Sequence, residues 1–504
     1  MDARPLLRRA AWVCCSGVFA VAFVLRLLVP LTGGGLVGNY SYDAGVYYAA
    51  GAALVHGRLP YADFTLLHPP GVVLAVAPAA WVGRLTSDHV GFAVAVIEFI
   101  ALGAASAALV VVVARGLGAG WRAATAGGLF YAMWFLSVRA EYLTRLEPLG
   151  NFLVLCGLVA YTRIDGPHAR RSALLCGAAF GAACSVKIWY AVPLAVVLCF
   201  MGARRRPREM GRTVLGAVGA VVLICGPFFA LAPSSMWRMV VVEQLGRNKS
   251  NVSRALGLLH RVPVGLSWWT PYLFAAVFVL AVVVLVIAAR RAPAVRLPAA
   301  LLLAGVGVLV AAPSWFLFYT DYLTPAAALC VATAATALGA RRETGLVARP
   351  FAIAGVLVVV LALVGSAKSL WYKRPKNRSL QFSGQLASAV TRVPCVMSDS
   401  PTVLIGLNAL DRDLANGCPN WVDVTGRTYA PDMRVRGPDG RLLSRPANPR
   451  WQGALRDYLL SGDAIIVTRA NEEGLSPTTW DAIRAGRVLA RDGTHVIYAV
   501  PRRG

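Results

Sequence analysis

Runs of about twenty apolar residues recur from Ala11 to about Gly365, and short segments carrying arginines separate them. A helix of that length crosses the roughly 30 Å hydrocarbon layer of a bilayer, and a water-soluble fold has no use for so many of them. The chain is 57% hydrophobic and only 15% charged, against about 25% charged in a soluble domain. The expected fold class is therefore a polytopic α-helical membrane protein. The formal charge of +26 does not make nucleic acid a partner. Its basic residues sit in short loops between apolar runs, the distribution that orients membrane helices with positive loops inside. Arginine carries nearly all of it, since Lys187, Lys249, Lys368, Lys373 and Lys376 are the only lysines.

Arg4, Arg8 and Arg9 precede the first run and no small-residue cleavage site follows, while Arg26 interrupts the run. A retained first helix, about 11–31, with a cytoplasmic amino terminus is expected. An external loop, 32–88, comes next. Within it 71–82 is apolar but short and contains Pro78, which suits the membrane interface. Further helices are expected over about 89–114, 123–138, 148–162, 213–232, 267–289, 297–313, 319–339 and 350–367. The apolar stretch 172–201 has arginines at both ends. Two short helices meeting near Lys187 keep both clusters inside and put Lys187 outside. The total is about eleven transmembrane helices, which leaves the carboxyl-terminal part external.

That part, 371–504, is different material. It holds half of the acidic residues and turn sequences such as PDG and RDG. CVMSDSPTVLIGL, DAIIVT, TTWDAIRAG and HVIYAV read as strands alternating with helices, so a small extracytoplasmic α/β domain is expected after a membrane domain of residues 1–370. No nucleotide fingerprint accompanies it, and no nucleotide cofactor is expected. Cys395 and Cys418 are its only cysteines. Facing an oxidising compartment, they are expected to form a disulfide. The remaining cysteines lie in predicted helices as small apolar residues, and no metal-ligand spacing appears. Metal dependence is left open, a divalent cation included.

The acidic residues placed near the outer face are Asp43, Asp63, Glu141, Glu147, Glu243 and Asp321. Glu98 falls inside a helix, where an ion pair holding helices together is expected. An Arg145–Glu147 pair is the plainer reading of EYLTRLEPLGN. The external loop 233–266 carries Arg238, Arg247, Lys249, Arg254 and Arg261, a positive cluster on the wrong side for topology. With Lys187 these residues form a candidate anion site suited to phosphate. Anionic lipid headgroups are the alternative partner, but they do not explain the accompanying carboxylates. His56 and His68 carry little signal; His68 precedes Pro69 and Pro70, a rigid turn. Small residues spaced as GxxxG fit close helix packing. Asp43 stands just before a predicted short helix, 45–55, where an aspartate could serve as its cap.

YD at Tyr42 and Asp43, GRLPYADF ending at Phe64 and HPPG starting at His68 lie in the first external loop, and together they resemble the GT-C superfamily of membrane glycosyltransferases. The branch most similar is that of protein mannosyltransferases and aminoarabinose transferases, including actinobacterial-type cell-envelope enzymes. Arg145-Leu146-Glu147-Pro148-Leu149 resembles the acidic motif before the fourth helix, and Ser185-Val186-Lys187 the lysine between two short helices. Phe318-Tyr319-Thr320-Asp321-Tyr322 resembles a late aromatic motif; Asp321 stands where that motif often has histidine. The resemblance covers about 1–370.

The resemblance implies an inverting transfer of sugar from a polyprenyl-phosphate donor to a cell-envelope glycan, lipid or protein acceptor, with membrane lipids as surroundings. It implies Asp43 as general base. Lys187 and the loop cations Arg247 and Lys249 would hold the donor phosphate, and Asp63, His68, Arg145, Glu147, Asp321 and Tyr322 would help bind substrate. A transporter or flippase of a lipid-linked sugar is the alternative, but it should show paired repeats with matching broken helices. A non-catalytic envelope protein leaves Asp43 and Glu147 unexplained.

Overall fold

The computed structural model describes residues 4–38, 41–245, 270–314, 316–339 and 382–501, with the single positions Ile353, Val360 and Val364. Apart from those three positions the expected helix over 350–367 lies outside the described residues, as do the boundary at 370/371, Arg247 and Lys249.

The apolar runs form helices: α1 (Arg4–Thr32), α2 (Tyr42–Val55), α3 (Gly71–Leu85), α4 (Asp88–Gly116), α5 (Trp121–Met133), α6 (Phe135–Glu141), α7 (Leu146–Tyr161), α8 (Ala169–Cys184), α9 (Ala191–Ala203), α10 (Pro207–Leu231), α11 (Thr270–Arg291), α12 (Pro293–Ala311) and α13 (Thr324–Gly339). Among the described residues five helices are long and apolar enough to cross a membrane. They are Ala11–Thr32, Asp88–Gly116, Pro207–Leu231, Pro293–Ala311 and Phe318–Leu338, and α6 with α7 makes a sixth if that pair, bent by 112°, counts as one span. Among the described residues several of the expected runs break. The run 123–138 breaks at Trp134, and 172–201 breaks between α8 and α9 at 185–187. The pieces are 7 to 16 residues long, and a 16-residue helix rises only about 24 Å. Helix α10 has a mean hydropathy of 2.4 yet is only 11% buried. Leu215 and Leu223 stand out from it, 65% and 77% exposed. Such a surface belongs against lipid, and the chain is a multi-pass membrane protein.

The chain divides into two units, each discontinuous in sequence. The first comprises Met1–Val29, Glu98–Ile224 and Asn248–Lys376. Its helices approach closely where glycines allow it. A Cβ on Gly177 would lie 1.8 Å from the Thr213 carbonyl oxygen, and one on Gly181 2.3 Å from that of Ala217. These two glycines form a GxxxG face on α8 that seats α10, which is how small residues pack membrane helices. Phe180, Leu155, Leu158, Tyr190 and Leu329 share the buried core of this unit.

The second unit comprises Pro30–Ile97, Cys225–Arg247 and Asn377–Gly504. Residues of the first loop thus share a unit with residues of the tail. Hydrogen-bonding contacts tie them: His56 Nε2 lies 2.6 Å from Asp411 Oδ1, and the Arg58 guanidinium donates to the Cys418 carbonyl at 3.0 Å. The Asp88 backbone N–H donates to Asn408 at 2.8 Å.

The tail holds a four-stranded mixed sheet of order β1-β2-β4-β3. β1 (Val396–Ser398) runs parallel to β2 (Ala464–Ile466), and β4 (His495–Ala499) is antiparallel to both β2 and β3 (Val488–Asp492). Gly493, at φ 53, permits the tight turn between β3 and β4. The apolar faces of α15 (Pro449–Leu459) and α16 (Pro477–Arg484) bury Trp451, Leu455, Leu459 and Ile483 with Met397 and Ile465 of the sheet. The stretch CVMSDSPTVLIGL splits: its first part is β1 and its second is α14 (Pro401–Gly406), where Pro401 starts the helix.

Cys395 and Cys418 are joined, with Cα atoms 5.7 Å apart across a separation of 23 residues. Closing a loop of this length is worth about 3 kcal/mol in the chain-entropy model. Cys395→Ala/Cys418→Ala is expected to lower the stability of the tail by about that amount. Intact mass after alkylation of unfolded, unreduced protein checks the bond itself: modification of both thiols in the parent chain would count against it.

Candidate active site

In the second unit α2 opens with Ser41 as its cap. Ser41 is extended, at φ −135 and ψ 116, and its Oγ accepts from the Ala44 N–H at 3.4 Å. The helix begins at Tyr42, so Asp43 is already inside the first turn and does not cap it. The alternative role of cap falls to a residue two positions earlier, because a cap must be non-helical while its oxygen reaches the N2 or N3 amide. Asp43 is half-buried, and no donor among the described residues bonds or pairs with its carboxylate. The rest of α2 is buried on nearly every side from Ala44 to Ala53.

The turn after α2 uses its acidic residue locally. Asp63 accepts from the Leu59 N–H at 2.6 Å, and its own N–H donates to the Leu59 carbonyl at 2.9 Å. Tyr61 takes a left-handed conformation, φ 68, and its hydroxyl donates to the His68 carbonyl at 2.7 Å. The His68 ring stands tilted against Tyr47, centroids 6.2 Å apart. Asp63 and His68 therefore shape the loop next to α2. Gln244 donates to the Leu67 carbonyl at 2.6 Å, and Arg238 of the expected basic cluster pairs with buried Glu243 at 3.3 Å.

In the first unit the bend between α6 and α7 presents a second group of side chains. Glu147, in the first turn of α7, accepts from Lys187 Nζ at 2.8 Å, and both residues are buried. Lys187 thus takes the partner that local sequence suggested for Arg145. Its ammonium lies over two rings, 3.8 Å from the Trp189 centroid and 3.9 Å from that of Tyr319. The Arg145 guanidinium stacks on Phe318 at 3.9 Å. Tyr190 donates to Asn151 Oδ1 at 3.1 Å, and Asn151 Nδ2 donates to Asp321 Oδ2 at 3.1 Å. The Tyr322 hydroxyl donates to the Trp189 carbonyl at 2.9 Å. Lys187, Glu147, Arg145, Asp321 and Tyr322 are thereby gathered around one aromatic and polar cluster.

Sequence reasoning missed Asn151, Trp189 and Tyr190, whose roles depend on contacts across helices. It also missed a buried network beside them. Arg26 donates to Glu141 Oε2 through Nε at 2.9 Å and Nη2 at 2.6 Å, and to Ser137 Oγ at 3.0 Å. Tyr131 donates to the other Glu141 oxygen at 2.5 Å. An arginine inside an apolar run was the available signal for this network. Glu98, expected in an ion pair, is half-buried and has no cationic partner among the described residues. Among the described residues no three His, Cys, Asp or Glu side chains converge as a metal-binding group.

The electrostatics of the second unit are set by burial. Burial, then the nearby Asp423, holds the Tyr42 hydroxyl well above the ordinary tyrosine range, so it remains a neutral donor. Burial pushes Asp399 up to about 6 even though the Thr468 and Arg469 amides donate to it.

No protein-family model matches the sequence, and no curated protein does. Solved structures share its fold over nearly its whole length. ArnT from Cupriavidus metallidurans bound to undecaprenyl phosphate superposes with a TM-score of 0.62 at 17% identity, covering 97% of this chain and 98% of that one. The archaeal oligosaccharyltransferase AglB from Archaeoglobus fulgidus, in complex with an inhibitory peptide and a dolichol-phosphate, gives 0.56 at 12% identity over 100% of this chain and 75% of that one. The arabinofuranosyltransferase AftD from Mycobacteria gives 0.53 at 16% identity over 96% of this chain and 40% of that one. At these identities the likeness is one of fold alone, and the fold is shared with ArnT, AglB and AftD.

Proposed function

We propose that the chain is an inverting glycosyltransferase that moves a sugar from a polyprenyl-phosphate donor to a hydroxyl-bearing envelope acceptor at the outer face of the membrane. The observation that carries this reading is the end-to-end fold shared with ArnT, a protein whose structure holds undecaprenyl phosphate. Asp43 supports it, being a carboxylate at the start of a buried helix that no contact among the described residues employs. In the reaction the acceptor oxygen attacks the anomeric carbon as its proton passes to Asp43. The bond from that carbon to the phosphate oxygen breaks, and polyprenyl phosphate leaves with the electron pair. Inversion at the anomeric carbon follows from a single displacement. The leaving group needs positive charge beside it. Lys187 is assigned to that end with Arg145, and Arg247 and Lys249 are assigned there from sequence alone. Glu147, Asp321 and Tyr322 hold this cluster in shape, while Asp63 and His68 shape the loop beside the base. The amino terminus is placed in the cytoplasm, and residues 371–504 outside.

Purified protein incubated with a panel of radiolabelled polyprenyl-phosphate sugars and an envelope extract tests the reading. Transfer from one donor, with released polyprenyl phosphate, is the expected result. Movement of an intact donor across the bilayer with no bond broken would place the chain among transporters instead.

A further inference from the structure

The tail grips the residue beside the proposed base. Tyr42 precedes Asp43 in the first turn of α2, and its hydroxyl donates to Asp423 Oδ1 at 2.9 Å while accepting from the Thr425 N–H at 2.8 Å. The Arg469 guanidinium lies over its ring, 4.1 Å from the centroid. On the other side of Asp43, Thr402 of α14 donates to the Ser41 carbonyl at 3.0 Å. Gly45 meets the same threonine: a Cβ there would lie 2.1 Å from Thr402 Oγ1 and 2.9 Å from its Cα.

These contacts are themselves anchored. Asp423 caps its own short helix by accepting from the Gly426 N–H at 2.7 Å. Thr425 donates to Glu473 at 2.5 Å, and Glu473 lies 3.5 Å from the Arg469 guanidinium. The Arg469 N–H donates to Asp399, which directly follows β1, at 2.5 Å. A continuous set of bonds thus runs from the sheet of the tail to the turn that carries Asp43, and four residues in a row, 41 to 44, have Asp43 as the member whose side chain is left to act.

We infer that the carboxyl-terminal tail is a positioning element for the base, with Tyr42 as its handle and Asp423, Thr425 and Arg469 as the grip. The inference rests on Asp43 being the base. A carboxylate acting on an acceptor hydroxyl must be held within hydrogen-bond reach of it, and a misplacement on the order of 1 Å costs up to about a hundredfold in rate. The turn lies near the amino end of its helix, where the first backbone bonds alone hold it weakly. The tail supplies the missing restraint.

Tyr42→Phe keeps the ring under Arg469 and removes both hydrogen bonds. Using full-length protein and the same panel of polyprenyl-phosphate sugars, kcat is expected to fall roughly tenfold to a hundredfold, with KM for the donor and the thermal midpoint unchanged. Asp423→Ala should reproduce the loss. Asp423→Asn, which keeps an oxygen for Tyr42 and for the Gly426 amide, should restore most of it. Hydrogen exchange of the backbone over 42–48 should quicken in Tyr42→Phe while the sheet stays protected. Unchanged exchange there, or a kcat equal to that of the parent, overturns the grip. A loss of rate matched by a lower thermal midpoint also overturns it, since that is general destabilisation. If Asp43→Asn turns over normally, the base assignment itself fails and the positioning role falls with it; if Asp43→Asn is inactive while Tyr42→Phe is normal, only the grip fails.

Discussion

Asp43→Asn is expected to insert, fold and bind a lipid-linked donor as the parent chain does, and to transfer sugar slower by roughly two to four orders of magnitude, the scale of losing a general base. The structure sharpens this expectation. Ser41, not Asp43, caps α2, so the substitution removes no capping bond, and stability should be unaltered. A thermal midpoint equal to that of the parent beside a collapsed transfer rate would separate chemistry from folding. Asp63→Asn is the companion measurement. Its amide oxygen can still accept from the Leu59 N–H, so its loss should be much smaller. Near-normal turnover in folded Asp43→Asn protein would remove Asp43 from the reaction.

Lys187→Ala is expected to do two things at once. It leaves Glu147 buried without its cation, which should destabilise the first unit by about 3–5 kcal/mol. It also removes the charge assigned to the donor phosphate. The pairing with Glu147 makes the single substitution a poor separator of donor binding from folding. Lys187→Met/Glu147→Met separates them, because replacing both partners of a buried pair by apolar side chains is often neutral or stabilising. The double variant should regain a parental thermal midpoint and still fail to bind a radiolabelled polyprenyl-phosphate sugar. If it binds donor with parental affinity, Lys187 serves the fold and not the phosphate.

Much of the architecture was written in one-dimensional chemistry. Apolar runs predict helices because each residue in lipid must pay for itself locally, and the arginine-flanked stretch with Lys187 in its middle does break there, between α8 and α9. Gly177 and Gly181 announce close packing by their spacing, and Cys395 and Cys418 find each other as the only thiols of the tail. DAIIVT and HVIYAV of the tail mark out β2 and β4. Tertiary structure decided the rest. Lys187 reaches across 40 residues to Glu147 rather than leaving it to Arg145 two positions away, because α7 and α8 pack side by side. Arg26 meets Glu141 across 115 residues, and Tyr42 meets Asp423 across 381. No spacing rule reaches that far: hydropathy and charge record which solvent a segment prefers, whereas the partner of a buried charge and the element that steadies a catalytic turn are chosen by which helices and strands come to lie together.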